Sequence, residues 1–126
     1  MAKIILIVED EPSLANALKL KLSSQGHELD IAENGRVGLE KLKEKKYDLV
    51  LLDLILPEVD GFQVLQELQG WESKPPVVVL SNLSQEEDKS RVKALGAIDY
   101  FVKSDIELFK LVEYINGFFN KDKPAT

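Results

Sequence analysis

The sequence predicts an α/β domain: a five-stranded parallel sheet in a three-layer sandwich, with helices on both faces. Short β-branched apolar runs alternate with helix-period patterns five times along the chain, the arrangement that builds a parallel sheet through crossover helices. The runs are nearly continuous in apolar residues, as strands covered on both faces require. The chain has 126 residues, the size of a single domain with no room for a second folded unit.

Each element has its own local cause. Ile4 to Val8 is a short apolar run that stops at Glu9-Asp10-Glu11-Pro12 and reads as a buried strand. Pro12 suits the first turn of a helix. Leu14, Ala17, Leu18 and Leu22 follow at helical spacing, and Gly26 ends that helix. His27 to Ala32 is the second strand, and Asn34 caps a second helix carrying Val37, Leu39 and Leu42. Leu49 to Leu52 is the third strand, with Asp53 at its C-terminal end. Leu56 to Gly61 forms a turn-rich loop, with Asp60 and Gly61 as turn and cap residues, before a helix bearing Phe62, Val64, Leu65 and Leu68. Pro76 to Leu80 is the fourth strand, ending at Ser81. Ser84-Gln85-Glu86-Glu87 reads as a capping box for the fourth helix. Ile98 to Val102 is the fifth strand, ending at Lys103, and Ser104-Asp105-Ile106-Glu107 reads as a capping box for the last helix. In that helix Phe109, Val112, Ile115 and Phe119 form the expected core stripe. Leu108, Leu111, Tyr114 and Phe118 lie off it, so any exposed remainder would serve as a partner or homodimer surface on the face of helix four, strand five and helix five. The folded domain is expected to span 1–120, with 121–126 as a flexible tail or the start of a linker.

Composition narrows the function. Hydrophobic residues are 44% and charged residues 30% of the chain, and the formal net charge is -6. An acidic domain is repelled by phosphate backbones and anionic lipid, which argues against nucleic-acid or membrane binding. The chain has no cysteine, which excludes disulfides, thiolate metal sites and cysteine nucleophiles. The apolar run near the start is too short to span a membrane and meets acids rather than a cleavage site, so a cytoplasmic protein is expected. The lone His27 and Trp71 carry no chemical assignment: His27 reads as structural or exposed, and Trp71 as a loop residue available for contact.

The chemistry is expected at the strand ends. Asp10 follows strand one, Asp53 ends strand three, Ser81 strand four and Lys103 strand five. Ligands of open α/β sheets bind beyond the carboxyl ends of the strands, and a flavodoxin-like strand order would make these side chains converge. Glu9, Asp10 and Asp53 would then crowd three carboxylates into one pocket, a repulsion that a hard divalent cation such as Mg²⁺ relieves. Lys103 adds a mobile positive charge and Ser81 a hydroxyl. Such a set suits an aspartate acting as nucleophile on phosphorus, with the cation and the lysine balancing charge on the transferred group. Taken singly, each residue has a plainer role as a cap, a solvated loop residue or a surface lysine; only their coincidence points to chemistry.

Four segments carry a resemblance: Val8-Glu9-Asp10-Glu11-Pro12, Leu51 to Gly61 around Asp53, Val79-Leu80-Ser81, and Gly96 to Lys103. In order and spacing they resemble the CheY-like receiver domain of bacterial two-component response regulators. The resemblance implies that Asp53 is the phosphoacceptor and Asp10 a direct metal ligand. Glu9 is implied as its acidic neighbour acting through water, and Ile55 as the position whose backbone carbonyl completes a Mg²⁺ site. It implies Ser81 and Tyr100 as the switch pair and Lys103 as the lysine that pairs with the phosphoryl group. It further implies phosphoryl supply by a histidine kinase or phosphotransfer protein, readout by a protein effector or C-terminal output domain, and no turnover of metabolites. Ser104 departs from the family, which usually has proline there, often after a cis bond. Without proline a cis bond costs about 2.5–4 kcal/mol, so trans is expected, with Ser104 serving as a helix cap. Two other functions share the ingredients. An aspartyl-phosphate phosphohydrolase would need an Asp-x-Asp pair after strand one and a substrate-covering cap, and the chain shows neither. A phosphorylation-independent interaction module would not need the full acid, Ser81 and Lys103 set.

Overall fold

The computed structural model describes residues 3–120. The chain forms β1 (Ile4–Val8), α1 (Pro12–Ser24), β2 (Glu28–Ala32), α2 (Gly35–Glu44), β3 (Leu49–Leu52), α3 (Gly61–Gln69), β4 (Val77–Ser81), α4 (Glu86–Ala94), β5 (Asp99–Val102) and α5 (Leu108–Phe119). The five strands make one parallel sheet in the order β2-β1-β3-β4-β5. The order reverses at β1, leaving β1 and β3 as neighbours at the point where open α/β sheets bind ligands.

Strand alternation divides the core into two layers. Ile5 and Ile7 of β1, Leu49 and Leu51 of β3, and Val78 and Leu80 of β4 pack with α1 and α5 through Leu18, Leu22, Leu111 and Ile115. Leu6 and Val8, Val50 and Leu52, and Val77 and Val79 pack on the opposite face with Leu42, Val64, Leu65, Leu68 and Val92 from α2, α3 and α4. Both faces are dry, which is why these strands show apolar runs instead of alternation. Among the described residues no helix is long and apolar enough to cross a membrane.

The predicted elements occur in the predicted order, with small shifts at their ends. β2 starts at Glu28 because the His27 amide is spent on the Leu22 carbonyl at the end of α1 (3.2 Å), past Gly26 at φ 89°. β4 starts at Val77, since Pro76 has no N–H for the ladder, although its carbonyl accepts from Val50 (3.0 Å). Asn34 caps α2 as expected, its Oδ1 accepting from the Val37 amide at 2.8 Å. Asp60 and Gln63 form a reciprocal capping box on α3 that the sequence reading assigned only as a turn and cap.

Three expectations are corrected. Ser84 caps nothing: α4 begins after Gln85 with no side-chain cap, and Glu86, Glu87 and Asp88 instead place acids at its positive end. Ser104 is likewise no cap. It lies in a turn closed by the Asp105 amide on the Val102 carbonyl (3.0 Å), and α5 begins only at Leu108, after Glu107. The core stripe of α5 is also rotated: Leu111, Val112 and Ile115 are buried, whereas Phe109 is 54% exposed beneath the Lys110 ammonium. Leu108, Tyr114 and Phe118 pack partly against the core. Packing against the sheet and α1 sets the buried side. No peptide bond among the described residues is cis, so the Lys103–Ser104 bond is trans. The expected tail at 121–126 lies outside the described residues.

Candidate functional site

The sheet ladder extends one residue past β1, β3 and β5 and carries the polar residues with it. The Glu9 amide donates to the Ala32 carbonyl (2.9 Å), the Asp53 amide to the Val8 carbonyl (3.0 Å), and the Lys103 amide to the Ser81 carbonyl (2.9 Å). Because Val8 pairs with Leu52 and Ser81 with Val102, the acids from two loops and the lysine from a third emerge at one level. One ligand atom each from Glu9, Asp10 and Asp53 lies within 4.8 Å of the others. They stand beside a cavity of about 180 Å³ walled by Asp10, Glu11, Asp53, Ile55, Asn82 and Lys103.

Charge in this cluster is tightly paired. The Lys103 ammonium donates to Asp53 Oδ2 at 2.7 Å and lies 2.8 Å from Glu9 Oε1 and 3.5 Å from Glu11 Oε1. Burial alone would favour the neutral amine, but the bonds to Asp53 and Glu9 outweigh it and hold Lys103 above the ordinary lysine range. Glu9, 3% exposed, is pushed above the ordinary carboxylate range by burial and by the nearby Asp53 charge, with Lys103 and the Glu11 amide opposing. The donors are all hard oxygens, and the one cation present must be shared among three carboxylates. The donor set therefore suits a small divalent ion such as Mg²⁺.

Ser81 and Tyr100 are not among the residues that wall the cavity. Ser81 is fully buried at the end of β4, and its Oγ accepts from the Leu83 amide at 3.4 Å. The Tyr100 hydroxyl donates to the Leu83 carbonyl. Residue 83 thus links the two side chains through its own peptide groups. Burial, then the Asp88 and Asp53 charges, push the Tyr100 hydroxyl up to about 12, so it remains a donor at neutral pH.

Sequence reasoning did not assign three contributors. Glu11 reaches Lys103, and Asn82 walls the cavity directly after Ser81; their adjacency to motif residues was the available signal. The third is a clamp on the β3–α3 loop that carries Ile55. Asn34 Nδ2 donates to Glu58 Oε2 at 2.9 Å and Arg36 Nε to Glu58 Oε1 at 3.1 Å, and Glu58 itself has φ 65°. These partners are 24 and 22 residues apart in sequence, with no periodicity to reveal them. Asn34→Ala removes both the α2 cap and the loop tie. It is expected to lower stability by about 1–2 kcal/mol, measured by urea denaturation. An unchanged midpoint would show the clamp carries no load.

The comparisons with known proteins place the chain in a family. The family model described as the response regulator receiver domain matches residues 5–116. The "Response regulator ArlR" of Staphylococcus epidermidis is 39% identical over 104 residues, covering 82% of this chain and 47% of that protein. The chain thus spans about half the length of this relative. The response regulator TrrA of Thermotoga maritima, in complex with Mg²⁺ and beryllium fluoride, superposes with a TM-score of 0.77 at 32% identity, covering 90% of this chain and 96% of that one. The Mn²⁺-bound form of response regulator Rcp1 gives a TM-score of 0.84 at 31% identity, with 98% and 99% covered. The resemblance read from the four motifs is borne out: this chain belongs to the receiver domain family of two-component response regulators and is a signalling domain of that class.

Proposed function

We propose that Asp53 accepts a phosphoryl group and that the resulting acyl phosphate changes a surface read by a partner protein. The observation that supports this most is the convergence at Asp53: two acids, a buried ammonium at 2.7 Å and an adjoining cavity, all at the switch point of the sheet. Glu9, Asp10, Asp53 and the main-chain carbonyl of Ile55 would hold Mg²⁺. When bound, that ion supplies positive charge against the phosphoryl oxygens.

An Asp53 carboxylate oxygen attacks phosphorus in line. The new P–O bond forms as the P–N bond of a phosphohistidine donor breaks, and the electron pair leaves with the imidazole, which takes up a proton. Lys103 stays protonated throughout and transfers a bond from the carboxylates to a phosphoryl oxygen. Ser81 turns its hydroxyl toward the phosphoryl group and gives up the Leu83 amide. Tyr100, held to the Leu83 carbonyl, responds to that movement. The donor is a histidine kinase or phosphotransfer protein, and the reader is a protein effector or a C-terminal output domain. The exposed Ile98 and Phe109, 46% and 54% accessible, offer a homodimer or partner contact on the α4–β5–α5 face. The domain is cytoplasmic, spans 1–120, and turns over no metabolite beyond its own slow phosphorylation and dephosphorylation.

Asp10→Asn tests the metal arm. Mg²⁺ affinity, read by calorimetry, is expected to fall at least ~10-fold, about 1.4 kcal/mol; an unaltered isotherm refutes the ligand role. Beryllofluoride with Mg²⁺ should shift the amide resonances of Ser81, Leu83 and Tyr100. A spectrum that does not respond would favour a phosphorylation-independent module of the same fold.

A further inference from the structure

A second site lies near the N-terminal ends of β3 and β4, at the sheet edge opposite the phosphoryl-acceptor cluster. A cavity of about 520 Å³ opens between the end of α2 and the α3–β4 loop, within the size range of built ligand sites, roughly 300–1,000 Å³. Its lining sets Lys43, Lys45, Lys46 and Lys74 against Glu44 and Asp48, a local excess of positive charge in a chain whose net charge is -6. Lys45 belongs to the wall: it pairs with Asp30 at 2.8 Å and lies 5.4 Å from the centre of the Tyr47 ring. The salt bridges among the described residues include none made by Lys43, Lys46 or Lys74. Lysines at the end of α2 complement its dipole, but that does not account for Lys74, which comes from a different loop, or for the half-buried Trp71 beside it.

The adjoining surface supplies the second half. Lys74, Pro75 and Pro76 also wall a cavity of about 300 Å³ lined by Leu65, Leu68 and Val77. β4 lies between β3 and β5, so it offers no free edge to which a strand could add here. What remains is a basic, aromatic-walled basin next to an apolar slot. We propose that this surface binds an acidic peptide segment of a partner protein, with carboxylates over Lys43, Lys46 and Lys74 and one aliphatic side chain in the slot. The adjoining apolar slot favours a peptide over a polyphosphate, which has no aliphatic group to place there.

Trp71 is the chain's single tryptophan and reports directly. The full chain is titrated with the tryptophan-free peptide Glu-Glu-Leu-Glu-Glu-Leu-Glu-Glu at low salt, reading Trp71 emission and heat in parallel. Saturable binding is expected, weakened about 10-fold in the Lys43→Glu/Lys46→Glu/Lys74→Glu variant and similarly by ~0.3 M salt. A Lys/Leu peptide of the same length should not bind. Circular dichroism confirms that the variant is folded, since the three side chains are exposed. The proposal is overturned if neither signal saturates, if the variant binds within twofold of the parent, or if inorganic triphosphate binds as tightly as the peptide.

Discussion

Asp53→Asn is expected to reduce phosphoryl incorporation to background. The substitution keeps the shape of the side chain and removes the anionic oxygen that must attack phosphorus, so no acyl phosphate can form at this position. Stability should change by no more than about 1 kcal/mol, for two reasons. The amide oxygen can still accept from the Ile55 amide, which lies 3.3 Å from Asp53 Oδ1. Lys103 keeps Glu9 as its partner at 2.8 Å, and Glu9 is relieved of one neighbouring charge that raises its pKa. The check is intact-mass measurement after incubation with acetyl phosphate and Mg²⁺, with hydroxylamine to confirm an acyl phosphate. Full labelling of the variant would remove Asp53 as acceptor. Loss of labelling together with loss of the folded spectrum would mean only that the fold had failed, and Asp53→Glu, which retains a carboxylate, would then separate the two causes.

Gly61→Ala is expected to damage both the fold and the site. A Cβ at this position would lie 2.3 Å from the Asp53 carbonyl oxygen and 2.7 Å from Leu54 Cα. Both are backbone atoms, so no side chain can swing aside. The Gly61 amide also donates to the Leu54 carbonyl at 3.0 Å, which pins the start of α3 to the loop after β3. Relief requires moving α3 or the loop that carries Asp53 and Ile55. The cost should be about 3 kcal/mol, a fall of roughly 10 °C in melting temperature for a domain of this size. Mg²⁺ affinity should fall as well, because the displaced loop holds two of the four assigned ligand positions. Calorimetric melting and metal titration read both effects. A variant with unchanged melting temperature would show that the close approach is not obligatory.

The same pair of residues shows what can and cannot be read from one dimension. Asp53 was legible through coincidence: an acid at one strand end has plainer roles, but with Asp10, Ser81 and Lys103 at the other strand ends it points to a site. Gly61 was legible only as a turn residue, because its importance lies in an approach to backbone eight residues earlier. Glu58 went unassigned for a related reason, its partners being on α2. On α5 the apolar residues populate more than one stripe, so composition left the buried side ambiguous. Packing of α5 on the sheet turned Leu111 inward and Phe109 outward. The capping boxes expected at Ser84 and Ser104 failed because local pattern cannot tell which of several adjacent polar residues the incoming strand leaves in position to cap.

By itself the sequence determined the strand and helix order, the parallel sheet and the identity of the residues at the strand ends. Those follow from local apolar periodicity and from the burial that a doubly covered sheet demands. Only the tertiary structure decided which ends are neighbours, that Lys103 reaches Glu9 and Asp53 together, that the N–H and C=O of Leu83 join Ser81 to Tyr100, and that lysines from two segments share a cavity with Trp71. Each of these depends on strand order and on distances between residues remote in the chain, quantities set by packing the whole core and not encoded in any one segment.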